Sequence, residues 1–207
     1  MSAAGLLDRV AAYYSATLSA YGATPRGADW NSRESQELRF ERLLHVCADV
    51  TGFTINDYGC GYGALARFLH DRGMAAEYVG FDVSAAMIAE ARRHLDGLPA
   101  CRLVSQRAAL TPANFTVASG IFNVRLDTPV ETWEAHVRET VDDIASLSTR
   151  GFAFNMLTHH ADPERQRDDL YYADPLAWFE YCRRRTRRVA LLHDYPLWEF
   201  TLVARWP

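Results

Sequence analysis

The sequence predicts an α/β fold: a mostly parallel sheet covered by helices on both faces, closed by an antiparallel pair and preceded by a helical cap. Three observations predict it. From residue 53 onward, short runs of β-branched and aromatic residues alternate with helical periods. A glycine-rich turn follows the first of those runs, and the last two, 188–192 and 198–205, lie close enough in the chain to form a hairpin. The 207 residues fit one such domain, which we divide into an N-terminal helical cap over 1–50 and a core over 51–207.

Leu6, Val10, Tyr13, Tyr14, Leu18 and Tyr21 recur at helical spacing and predict a first helix that Gly22 stops. Asn31 as N-cap, with Glu34 three residues on, predicts a second helix carried to about Val50 by Leu38, Leu43, Val46 and Cys47. Residues 53–58 read as the first strand, 64–72 as a helix on Leu65, Phe68 and Leu69, and 77–81 as the second strand. Ser84 caps a helix over 84–95 that ends near Gly97 and Pro99, and 101–105 and 115–122 are the third and fourth strands. Thr128-Pro129-Val130-Glu131 reads as a capping box with proline at the first helical position, and the helix it opens carries Trp133, Val137, Val141, Ile144 and Leu147. Gly151 ends that helix and 152–157 is the fifth strand. Asp174-Pro175 opens a last helix on Leu176, Phe179 and Cys182, with the arginines of 183–188 at its negative end.

Composition narrows the function. A net charge of -4 with mixed signs throughout gives neither the nucleic-acid nor the membrane-surface footprint. The arginines of 183–188 stand without an aromatic platform and read as a solvated helix end, which makes a nucleic-acid partner unexpected. No apolar run is long enough to span a membrane and the first ten residues do not read as a signal peptide, so a cytoplasmic location is expected. Cys47, Cys60, Cys101 and Cys182 are widely spaced, which predicts reduced thiols and no metal site. All 22 basic residues are arginine, which excludes lysine Schiff-base chemistry.

The chemistry concentrates in Asp57-Tyr58-Gly59-Cys60-Gly61-Tyr62-Gly63 and, after the second strand, Asp82. Glycines at the carboxyl end of a first strand let a ligand approach the backbone, and a carboxylate ending the second strand accepts hydrogen bonds from ribose hydroxyls. Gly59, Gly61 and Ala64 also satisfy G-x-G-x-x-A, the turn that holds a dinucleotide pyrophosphate. Asp57 weighs against that reading, because its charge repels a pyrophosphate and suits the ammonium of a methionine-type amino acid. An NAD-dependent oxidoreductase is therefore the competitor from another class.

With D-x-G-x-G-x-G at 57–63 and Asp82 in place, the chain resembles the class I S-adenosylmethionine-dependent methyltransferases over about residues 50 to 205. The resemblance implies a Rossmann-like seven-stranded sheet with an antiparallel last strand, and S-adenosylmethionine as cofactor. It also implies that Asp57 serves the ammonium, that the backbone around Gly59, Cys60 and Gly61 lies against the methionine part, that Asp82 holds the ribose, and that Val83 and Met87 pack near adenine. Val104-Ser105-Gln106 lacks the acidic residue that many members place after strand three; Ser119, after strand four, is the expected contact there.

The acceptor side is less defined. Ser119-Gly120-Ile121-Phe122 stands where enzymes acting on exocyclic amino groups carry D/N-P-P-Y/F, and no cysteine serves cytosine C5 chemistry. The expected acceptor is a small molecule, such as a natural-product or sugar/nucleotide intermediate, methylated on O or N; a protein or RNA acceptor is the alternative. Histidine titrates near working pH, which makes His159 and His193 the candidate general bases. Trp30, Arg33 and Tyr172 are the candidate acceptor contacts, and Asn123, Arg125, Asn155 and Tyr171 lie on the same rim. A homodimer is compatible with the chain.

Overall fold

A computed structural model describes residues 3–98 and 101–207; Pro99, expected near a helix end, lies outside them. The sheet is built of β1 (Phe53–Tyr58), β2 (Ala76–Phe81), β3 (Cys101–Val104), β4 (Ala113–Ala118), β5 (Ser148–Thr158), β6 (Tyr172–Ala173), β7 (Arg188–Leu192) and β8 (Glu199–Arg205). Its order is β3-β2-β1-β4-β5-β8-β7, with β6 beside the end of β5. β8 runs antiparallel to β5 and β7, and the other pairs are parallel. Because the order reverses between β1 and β4, the carboxyl ends of these two strands part and leave a crevice.

The helices are α1 (Ala3–Tyr21), α2 (Arg33–Leu44), α3 (Ala64–Asp71), α4 (Ala85–His94), α5 (Val130–Ser146) and α6 (Pro175–Arg183). Phe40 and Leu43 of α2, Leu65 and Phe68 of α3 and Ile88 of α4 pack with Ile55, Val117 and Ala153 in one apolar layer. Trp133 and Val141 of α5 and Trp178 of α6 pack with Phe152, Phe154 and Leu202 in the other. Alternation along β5 sorts its residues, sending Ala153 to one layer and Phe152 and Phe154 to the other. α1 crosses the rim: its Leu6 joins the second layer, and Leu18 packs on Tyr62 and Met87 at the far side of the crevice.

The structure corrects several local expectations. Ser32, not Asn31, caps α2: the Ser35 amide donates to the Ser32 hydroxyl at 3.1 Å and the Ser32 amide to the Ser35 hydroxyl at 3.3 Å. No side chain caps α5, whose N-cap is Pro129; the Thr128 hydroxyl instead accepts from Arg9 of α1 at 2.7 Å. β4 ends at Ala118 because Gly120 turns the chain with φ 72°. Gly151 does not stop a helix but sits within β5, where a Cβ would strike the backbone of β8. β6, only two residues long, has no run of its own in the sequence. Among the described residues, no helix is long and apolar enough to cross a membrane.

Candidate active site

The site begins where β1 gives way to its glycine turn. The amides of Gly59 and Cys60 both donate to the Phe81 carbonyl, at 2.7 and 2.9 Å, which suspends the turn from the end of β2. Gly59 has φ 84°, and a Cβ there would overlap the Ile121 side chain, so this position needs glycine for conformation and for space. Asp82, next after β2, accepts the Gly61 amide at 2.9 Å and the Ser84 amide at 2.8 Å. One carboxylate thus ties together the glycine turn and the start of α4.

Asp57 is buried at the carboxyl end of β1, where the Tyr78 hydroxyl donates to it at 2.6 Å. Burial pushes its carboxyl up to about 7 against the lowering effect of that hydrogen bond, and the charge of Asp82 adds to the rise. Burial also raises the Asp82 carboxyl, opposed by the amides of Ser84 and Gly61. Both groups favour a neighbour that supplies positive charge or hydroxyl donors.

These groups open onto a cavity of about 530 Å3. Its wall includes all eight residues expected at the cofactor: Asp57, Gly59, Cys60 and Gly61 from the turn, and Asp82, Val83, Met87 and Ser119 around it. Trp30 also lines it, together with Leu7, Ala11 and Tyr14 of α1. Among the described residues Arg107 is the one arginine in the wall, and Asp143 grips its guanidinium on two nitrogens. The Ser119 hydroxyl is buried with no hydrogen-bond partner among the described residues. A ligand carrying a sulfonium, an ammonium and a ribose diol matches this wall. A pyrophosphate would meet Asp57 and, among the described residues of the wall, no arginine free of a carboxylate.

The other expected residues lie elsewhere. Arg33 is exposed and paired with Glu37 at 2.6 Å, and the Tyr172 hydroxyl accepts the Arg167 amide at 3.0 Å; neither lines the cavity. His159 and His193 are also outside it. His159 meets His160 at 3.2 Å between their Nε2 atoms, and the His160 and His193 rings lie 6.0 Å apart. Burial, then the neighbouring imidazoles, hold His193 below the usual histidine range. Among the described residues, no group of histidine, cysteine and carboxylate side chains could hold a metal ion.

Three rim residues serve the backbone instead. Asn123 accepts the Leu157 amide at 3.3 Å, Arg125 donates to the Leu170 and Thr128 carbonyls, and Asn155 accepts the Gly120 amide at 2.8 Å. Sequence reasoning missed Asp8 on α1, His136 and Thr140 on α5, and the pair in which the Tyr62 hydroxyl donates to Gln36 at 2.9 Å. Helical spacing from Trp133 puts His136 and Thr140 on neighbouring faces. The apolar period there signalled only core.

A family model described as "Methyltransferase domain" matches residues 55–151. A Mycobacterium tuberculosis protein named "Putative methyltransferase Rv1506c" is 47% identical over 154 residues, covering 74% of this chain and 93% of that one. Trans-aconitate 2-methyltransferase of Escherichia coli O157:H7 is 48% identical over 84 residues, 37% of this chain and 32% of its own. The fold of DhpI, solved in complex with S-adenosylhomocysteine (SAH), covers all of both chains with a TM-score of 0.63 at 22% identity. Family, sheet order and glycine turn agree, and they decide between the two cofactors the turn could hold: the chain belongs to the class I S-adenosylmethionine-dependent methyltransferases, and S-adenosylmethionine is its cofactor.

Proposed function

We propose that the enzyme methylates an O or N atom of a small molecule, such as a natural-product or sugar/nucleotide intermediate, by in-line displacement. The observation that carries this reading is the cavity itself, which lies beneath α1 and Trp30 and is lined mainly by apolar and aromatic side chains. An RNA or protein acceptor would call for an extended basic or grooved surface, and Arg107 of the cavity wall is already held by Asp143. The named activity of the Escherichia coli relative, on trans-aconitate, is also in keeping with a small acceptor.

S-adenosylmethionine, when bound, supplies an electrophilic methyl on a sulfonium. In our assignment Asp57 faces the ammonium, and the backbone from Gly59 through Cys60 to Gly61 lies along the methionine part. Asp82 accepts from the ribose hydroxyls, Val83 and Met87 flank the adenine, and the Ser119 hydroxyl gains the partner it lacks. The proposed cap over 1–50 excludes water through α1 and Trp30, while α2 anchors it to the core through Phe40 and Leu43. Alignment of the acceptor is the main catalytic contribution. A base role for His159 or His193 would need an acceptor reaching past the cavity toward the loops after β5 and β7.

Labelling tests the acceptor class. The enzyme is incubated with methyl-labelled cofactor and with size-separated fractions of small molecules, RNA and protein. Label entering the low-mass fraction supports the proposal; label confined to RNA or protein contradicts it.

A further inference from the structure

The Trp30 indole is packed between two unlike surfaces. Beneath it is Gly120, where a Cβ would overlap the ring, and the Arg39 guanidinium stacks on it 4.0 Å from the ring centroid. Arg39 is only 6% exposed, and its Nε donates to both Glu199 oxygens at 2.9 Å while Nη2 donates to Oε1. Its Nη1 donates to the Ser35 carbonyl at 2.7 Å. Glu199 Oε2 accepts from Asn155 Nδ2 at 2.6 Å, and Asn155 Oδ1 accepts the Gly120 amide at 2.8 Å. The chain of contacts returns to the residue under the indole.

We propose that this circuit is a latch: Arg39, Glu199 and Asn155 are positioning residues that hold Trp30 over Gly120, and the closed state sets how long the cofactor stays bound. The inference rests on the reading of the cavity as the cofactor site. Ion pairs this deeply buried are a poor source of stability compared with apolar packing, but they fix orientation. Here the two-point grip of Glu199 fixes the plane of the guanidinium, and that plane fixes the indole. Gly120 lies between Ser119 and Ile121, both in the cavity wall, and the Ile121 side chain packs under Gly59. Opening Trp30 therefore loosens the wall of the site and the support of the glycine turn together.

The test measures SAH release by stopped-flow fluorescence and exchange of the Gly120 amide by NMR, with the thermal midpoint as a control for folding. Trp30→Ala and Glu199→Gln are each expected to speed SAH release about tenfold and to speed Gly120 exchange, and the double variant should be no faster than the faster single. Should Glu199→Gln fail to fold, Gly120→Ala replaces it: its added methyl should speed release when Trp30 is present and have little further effect in the Trp30→Ala background. Unchanged SAH release in folded Trp30→Ala, or effects that simply multiply in the double variant, would overturn the latch. Failure of the underlying reading looks different, because then SAH binding would survive Asp82→Asn unchanged.

Discussion

Asp57, which in our proposal faces the ammonium of the ligand, shows how a single buried carboxyl can work against stability near neutral pH. Burial lifts its folded value to about 7 from an ordinary 3.8, so the unfolded chain gives up the proton first as the pH rises. The protonated group's contribution to stability is complete below about pH 4 and is lost as the pH climbs to about 7. Binding of an ammonium runs the other way, since it needs the ionised form. We therefore expect SAH affinity, followed by calorimetry, to increase with pH up to about 7 and then level off. In Asp57→Asn this rise should disappear and affinity fall about tenfold, while the thermal midpoint at pH 8 stays level or increases. A pH-independent affinity in the wild type would count against the assignment. Asp57, Gly59 and Asp82 were legible in the sequence because strand, turn and strand fix their relations over about 25 residues. For His159 and His193 the sequence offers suitable chemistry and a place after strands on the same rim, but whether they reach the cavity depends on loops whose path no local pattern encodes, and neither lines it.

At the level of elements, hydrophobic period located nearly every helix and strand, and errors gathered at their ends. Asn31 and Ser32 are both good caps by residue type, and only the backbone decides: Ser32 has the extended conformation, φ -157° and ψ 167°, and exchanges bonds with Ser35. Ser32→Ala should cost about 1 kcal/mol in urea unfolding, whereas Asn31→Ala should stay within about 0.5 kcal/mol. Equal losses would mean that the cap is shared. Gly151 misled for another reason, since its lack of a side chain answers the close approach of β8, a contact between residues more than 50 positions apart. β6 was invisible because two residues paired to the end of β5 carry no period.

For the molecule as a whole, the order β3-β2-β1-β4-β5-β8-β7 places the crevice between β1 and β4, and α1 is fastened across it. Arg9 reaches Asp127 and Thr128 on one side; on the other, the Ser15 and Ser84 hydroxyls meet at 2.9 Å. Between these ties the Tyr13 hydroxyl donates to Asp29 at 2.8 Å, which fastens α1 to the segment leading to Trp30. The alternation of strands and helices announced the sheet, but no pattern within α1 could say which rim it would cross, because that depends on partners more than 60 residues away. The central claim is that this roofed cavity is the cofactor site. A crystal structure with SAH tests it most directly. The ribose hydroxyls should lie within hydrogen-bond distance of Asp82, the ammonium should face Asp57 and Trp30 should close the wall; SAH bound outside the cavity, or with its ribose turned away from Asp82, would contradict the account.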